Sequence, residues 1–139
     1  TQMPGPDAFI DSNILLYLLS ADADKAERAE SIARAGGMIS VQVLNEIANV
    51  ARRKLSMSWE DTGELLSLIR SLCQVEPLTV ATHDKGMLLA QRYRLSIYDA
   101  MIAATALLGG CKILYSEDMH DGLLIEKKLR IRNPFIPPI

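Results

Sequence analysis

Residues 9–17 read Phe9-Ile10-Asp11-Ser12-Asn13-Ile14-Leu15-Leu16-Tyr17, "FIDSNILLY", and set one carboxylate between two apolar runs. The first run predicts a short strand over 8–11, the second a short helix from Asn13 to Ser20. A strand feeding straight into a helix is the opening unit of an alternating α/β chain. The alternation continues downstream. Ala26, Ala29, Ile32 and Ala33 fall at helical spacing and Gly36-Gly37 supplies a stop, which predicts a helix over 24–35. Met38 to Ser40 is a brief strand, and Leu44, Ile47, Ala48, Ala51 and Leu55 mark the apolar face of a helix over 41–55.

Ser58-Trp59-Glu60-Asp61 opens a helix to about Cys73 in the manner of a capping box. A strand over 75–78, a helix over 83–93 and a second capping box at Ser96-Ile97-Tyr98-Asp99 follow, the last leading an Ala-rich helix to Leu108. Lys112 to Ser116 is the best strand candidate, and Leu129-Arg130-Ile131 reads as a final edge strand before Asn133-Pro134 and Pro137-Pro138 exclude regular structure. Five strands alternating with helices imply a parallel sheet covered on both faces. In such sheets ligand chemistry collects beyond the carboxyl ends of the strands.

The 139 residues suit one domain, residues 1–139, with no repeat or linker to divide it. Thr1-Gln2 reads as a remnant ahead of a native start at Met3. No apolar run approaches the ~20 residues of a membrane-spanning helix, so the expected location is cytoplasmic. Cys73 and Cys111 lack a C-x-x-C partner and read as buried thiols. A net charge of −2 speaks against a broad basic surface for nucleic acid, but not against a catalyst that touches it briefly.

Asp11 ends the first strand and Asp118 lies just past the best later one, so both face the same sheet edge. Glu46 shares a polar helix face with Gln42, Asn49 and Arg53, and Asp99 is the third residue of its capping box. Each has an ordinary explanation: a helix cap for Asp11, a solvated face for Glu46, a helix-dipole partner for Asp99, a turn for Asp118. Gathered at one edge they would repel by a few kcal/mol per close pair at an effective dielectric near 20, which calls for a cation among them. Mg²⁺ or Mn²⁺ takes oxygen ligands, and two such ions ~3.5–4 Å apart can activate water in phosphodiester cleavage. No His pair or Cys cluster suggests zinc.

The segments "FIDSNILLY", "VQVLNEIANVARRK", "LSIYDAMIAATAL" and "LYSEDMHDG", in this order and followed by "NPF", resemble the PIN-domain nucleases, and within them the VapC-type toxins of toxin–antitoxin pairs. The resemblance implies a three-layer α/β/α sandwich on a parallel sheet, Mg²⁺- or Mn²⁺-dependent cleavage of RNA, homodimerisation, and inhibition by a small antitoxin. It matches Asp11, Glu46, Asp99 and Asp118 to the family's acidic quartet. Asp11, Asp99 and Asp118 are the implied metal ligands, and Glu46 a ligand or a guide for the attacking water. Asn13 and Ser116 match flanking polar residues that orient the carboxylates. Asp121 is a secondary candidate, with an exposed loop acid as the alternative. His120 reads as an exposed loop histidine, with an RNA contact or a proton-transfer role as the alternative. With Asp11 at the metal site, the capping role passes to Ser12 or Asn13.

Two other functions stay open on the sequence. An aspartyl-phosphate phosphatase would use a strand ending in D-x-D, and here Asp11-Ser12-Asn13 lacks the second acid. A catalytically silent PIN-like module could instead serve as an RNA-binding or assembly subunit. Dinucleotide binding has no G-x-G-x-x-G after the first strand to support it.

Overall fold

A computed structural model describes residues 6–136, so the expectations for Thr1 to Met3 and for Pro137-Pro138 lie outside the described residues. Six strands form one sheet in the order β3-β2-β1-β4-β6-β5. They are β1 Ala8–Ile10, β2 Met38–Ser40, β3 Gln74–Glu76, β4 Ile113–Tyr115, β5 Leu124–Ile125 and β6 Leu129–Arg132. The first four pair in parallel, as β3 to β2, β2 to β1 and β1 to β4, and β6 joins β4 in parallel. Only β5 runs antiparallel, against β6. Phe9, Ile10, Met38, Ile39, Leu114, Leu129 and Ile131 are buried, the near-continuous apolar character of strands covered on both faces.

The described residues hold six α-helices: α1 Ser12–Leu15, α2 Ala23–Arg34, α3 Val41–Arg53, α4 Trp59–Leu72, α5 Val80–Tyr93 and α6 Ile97–Leu108. Helices α1 to α4 pack among themselves and α5 packs on α6, giving the outer layers of an α/β/α sandwich. Helix α6 is buried from Ala100 to Ala106, as its Ala-rich sequence requires. Cys73 and Cys111 are free and buried.

The differences from the sequence expectations have local causes. The helix expected over 13–20 is a single α turn, α1, followed by a 3-10 turn at Leu16–Leu19. Strand β3 begins a residue earlier than expected, where Gln74 N donates to Gly37 O at 2.8 Å, and ends earlier because Pro77, without an N–H, cannot continue the ladder. Helix α5 starts at Val80 rather than His83, since Thr79 caps it by accepting from Thr82 N at 3.1 Å. The strand expected at the edge, β6, is covered by β5. That strand was not legible, because its turn places Glu126 and Lys127 at φ 51° and 58° without the Gly or Asn that usually marks positive φ.

Strand β1 has β2 on one side and β4 on the other. Chain order reverses between β1 and β4, and the crevice at their carboxyl ends is where such folds place ligands. Asp11 N donates to Tyr115 O at 3.0 Å across this crevice, tying the two strand ends together.

Candidate active site

Asp11 leaves β1 in extended conformation and caps α1, its Oδ1 accepting from Ser12 N at 2.7 Å. The cap therefore stays on Asp11 and does not pass to Ser12 or Asn13, because both neighbours are committed elsewhere. Ser12 Oγ donates to Glu46 Oε2 at 2.5 Å. Asn13 Nδ2 faces Asp118 Oδ2 at 3.0 Å, Asp11 Oδ2 at 3.3 Å and Ser116 Oγ at 3.4 Å. Ser116, fully buried, donates its hydroxyl to Asp11 Oδ2 at 2.9 Å.

Glu46 reaches the crevice from the second turn of α3. Gln42, one turn earlier, donates to its other oxygen at 3.1 Å and lies 3.5 Å from Tyr98 O at the start of α6. Asp99 is half-buried in the first turn of α6, where Ser96 Oγ accepts from its backbone N–H at 3.1 Å. Helix α6 ends just before β4 begins, so its N-terminus returns to the carboxyl edge of the sheet. Asp118 is exposed on the loop after β4 and is held by Asn13.

The four acids lie near enough to feel one another's charge. Burial, above all, pushes the Asp11 carboxyl up to about 6, with the charges of Glu46 and Asp99 adding to it against the hydrogen bonds from Ser116 and Ser12. Burial also raises Asp99, and Asp118 and Glu46 raise it further. Among the described residues no basic side chain pairs with any of the four. Nor, among the described residues, are three carboxylates, imidazoles or thiols drawn into a closed metal cage. Ser12, Asn13 and Ser116 link Asp11, Glu46 and Asp118 at the carboxyl edge of the sheet, and this edge, together with Asp99, is called the cup.

Other candidates lie apart from this cup. Glu117 turns away to Tyr17 and Lys25. Asp121 is exposed and accepts from Asn133 N at 2.8 Å, which fastens the C-terminal segment. His120 is exposed. Ser12 is the participant that the sequence concealed, because its partner Glu46 is 34 positions away and nothing local signals the contact.

Residues 8–120 match the family model of the PIN domain. No curated protein gives a match. Among solved structures, a toxin-antitoxin complex from Klebsiella pneumoniae is similar at TM-score 0.70 and 22% identity, over 92% of this chain and 98% of that one. A Sarcin-Ricin loop cleaving VapC toxin of Mycobacterium tuberculosis is similar at TM-score 0.64 and 20% identity, over 80% of this chain and 89% of that one. A VapBC complex of Rickettsia felis, bound to a DNA fragment from its promoter, is similar at TM-score 0.59 and 19% identity, over 80% and 87%. These likenesses are likenesses of fold, whereas the sequence match runs from the first residue of β1 through the acidic loop after β4: the chain belongs to the PIN domain family.

Proposed function

We propose that the cup is the active site of a divalent-metal-dependent endoribonuclease, a VapC-type toxin held in check by a small antitoxin. The observation that carries this reading is the convergence of Asp11, Glu46, Asp99 and Asp118 from four separate segments, with no basic partner among the described residues. Membership of the PIN family supports it. So does the company of a toxin that cleaves the Sarcin-Ricin loop and of two toxin–antitoxin complexes, which point to structured RNA as substrate and to an antitoxin partner. The proposed enzyme is cytoplasmic; among the described residues no helix is long and apolar enough to cross a membrane. The working unit is taken as one PIN domain that forms a homodimer.

The residues of the cup fit Mg²⁺ or Mn²⁺. They offer carboxylate and hydroxyl oxygens, and neither an imidazole nor a thiol joins them, which favours a hard cation over zinc. Mg²⁺ keeps several of its waters and needs only one or two carboxylates, so an open cup suits it better than a closed cage. Asp11, Asp99 and Asp118 would hold the ion, which when bound supplies activation of water and neutralisation of charge developing on the phosphodiester.

The side chains do the rest. Ser12 N and Ser116 Oγ fix both oxygens of Asp11, so this carboxylate cannot rotate out of the crevice. Asn13 bridges Asp11 and Asp118 and sets their separation. Glu46, held by Ser12 and Gln42, orients the attacking water for in-line displacement. The test is incubation of total RNA with purified protein and Mg²⁺ or Mn²⁺, with sequencing of the new ends. Cleavage is expected to need the metal and to vanish in Asp11→Asn. Cutting in chelator, or full activity of Asp11→Asn, overturns the mechanism. Metal binding without cleavage of any RNA identifies a silent PIN-like module instead.

A further inference from the structure

We propose that Tyr17, Lys25 and Glu117 form a positioning clamp that fixes Asp118 in the cup and is braced by Phe135 of the C-terminal segment; this rests on the metal-site reading above. Asp118 is the acid most in need of support. It is exposed and lies on a loop rather than a strand or helix. Its only hydrogen bond among the described residues comes from Asn13.

The clamp supplies that support in two ways. Tyr17 Oη donates to Glu117 Oε1 at 2.6 Å, and Lys25 Nζ donates to Tyr17 Oη at 3.3 Å while lying 3.7 Å from Glu117 Oε2. Glu117 and Asp118 are neighbours in the bend over 117–119, so tying Glu117 to the 3-10 turn and α2 fixes the backbone from which Asp118 meets Asn13. The same anchoring keeps the Glu117 backbone N–H on Asn13 Oδ1 at 3.2 Å. That contact settles which way the Asn13 amide faces: with its oxygen on Glu117 N, its NH₂ must point at Asp118, Asp11 and Ser116. Pairing Glu117 with Lys25 also keeps a fifth negative charge from adding to the repulsion around the four acids.

The brace closes from the other end of the chain. The rings of Tyr17 and Phe135 meet edge to face at 4.8 Å, and Lys25 Nζ lies 4.8 Å and 5.4 Å from their centroids. Phe135 N donates to Asn133 Oδ1 at 3.0 Å, and Asn133 N to Asp121 Oδ1 at 2.8 Å. Asp121 thus contributes by fastening the segment that presses on the clamp, without itself reaching the cup.

The experiment is a Mn²⁺ titration of the full chain by calorimetry, with thermal melts of each variant. Tyr17→Phe keeps the ring packing and removes only the bridging hydroxyl, and Glu117→Ala removes the anchor. Both are expected to bind Mn²⁺ about 10- to 100-fold more weakly, the usual cost of losing a group that orients a metal ligand, at little change in melting temperature. Glu117→Gln keeps an acceptor for Tyr17 and is expected to retain most of the affinity. Wild-type affinity in both Tyr17→Phe and Glu117→Ala overturns the clamp while Asp11→Asn, which must abolish binding, upholds the site. A wild-type chain that binds no Mn²⁺ overturns both.

Discussion

The two ends of the central sheet bury ionisable groups equally well and to opposite effect. At the carboxyl end Asp11 is 4% exposed, and at the amino end Cys111, just ahead of β4, is 3% exposed. Burial raises both, the carboxyl to about 6 and the thiol to about 11. Cys111 is neutral at pH 7 in the folded and unfolded chain alike, so its shift costs nothing there. Its Sγ contacts Pro6 O at 3.5 Å and Met38 Sδ at 3.7 Å, in a packed apolar corner. Asp11 is ionised at pH 7 against its surroundings, and the shift from 3.8 corresponds to as much as about 3 kcal/mol. One end of the sheet is built for cohesion, while the other holds charge that a bound cation would relieve.

The contrast breaks or holds on measurements of decreasing size. The largest is catalytic. Asp11→Asn is expected to lower RNA cleavage by more than about 10²-fold, beyond the range for losing a merely orienting group, as read from initial rates on a defined RNA.

Next comes stability in metal-free buffer. Because the folded-state pKa of Asp11 is raised, the folded chain binds more protons than the unfolded one between about 4 and 6, and stability from this group falls as pH rises through that window. Subtracting the urea-unfolding curve of Asp11→Asn from that of wild type should isolate the effect. The variant should be more stable at pH 7 by about 1–3 kcal/mol, with the gap closing below pH 4. A gap independent of pH would contradict the assignment.

Mg²⁺ should act on the same charge. At a hundredfold excess over its dissociation constant it should stabilise the wild type by about 2.7 kcal/mol at pH 7, and much less at pH 4.5, where protons compete for the carboxylates. Equal stabilisation at both pH values would place the ion elsewhere. The smallest effect belongs to the apolar end. Cys111→Ala should cost about 1 kcal/mol through lost packing, with neither the pH profile nor cleavage altered. A change in cleavage there would mean that the two ends are coupled.

Much of this arrangement was legible in the chain itself. The break at Asp11, the capping box before Asp99, the polar face bearing Glu46 and the loop carrying Asp118 are local features; the strand–helix alternation puts Asp11 and Asp118 at one sheet edge, and the resemblance to the PIN family adds Glu46 and Asp99. What was not legible has a common cause. The bond from Ser12 to Glu46 and the contacts of Tyr17 with Glu117 and Phe135 join residues that no local pattern couples. Strand β5 escaped notice for a similar reason. Its positive-φ turn at Glu126 and Lys127 is held from outside, by Lys85 at 2.6 Å from the Glu126 carboxylate and by Tyr93 Oη accepting from Glu126 N at 2.8 Å.

The periodicity, caps and breaks of the elements and the positions of the four acids follow from the chain alone, because these depend on neighbours within a turn or two. Which hydroxyl or amide holds each acid, and the burial that pushes Asp11 up to about 6, come from the folded arrangement. Burial and distance across the crevice between β1 and β4 arise only once residues more than a hundred positions apart, such as Asp11 and Ser116, have met.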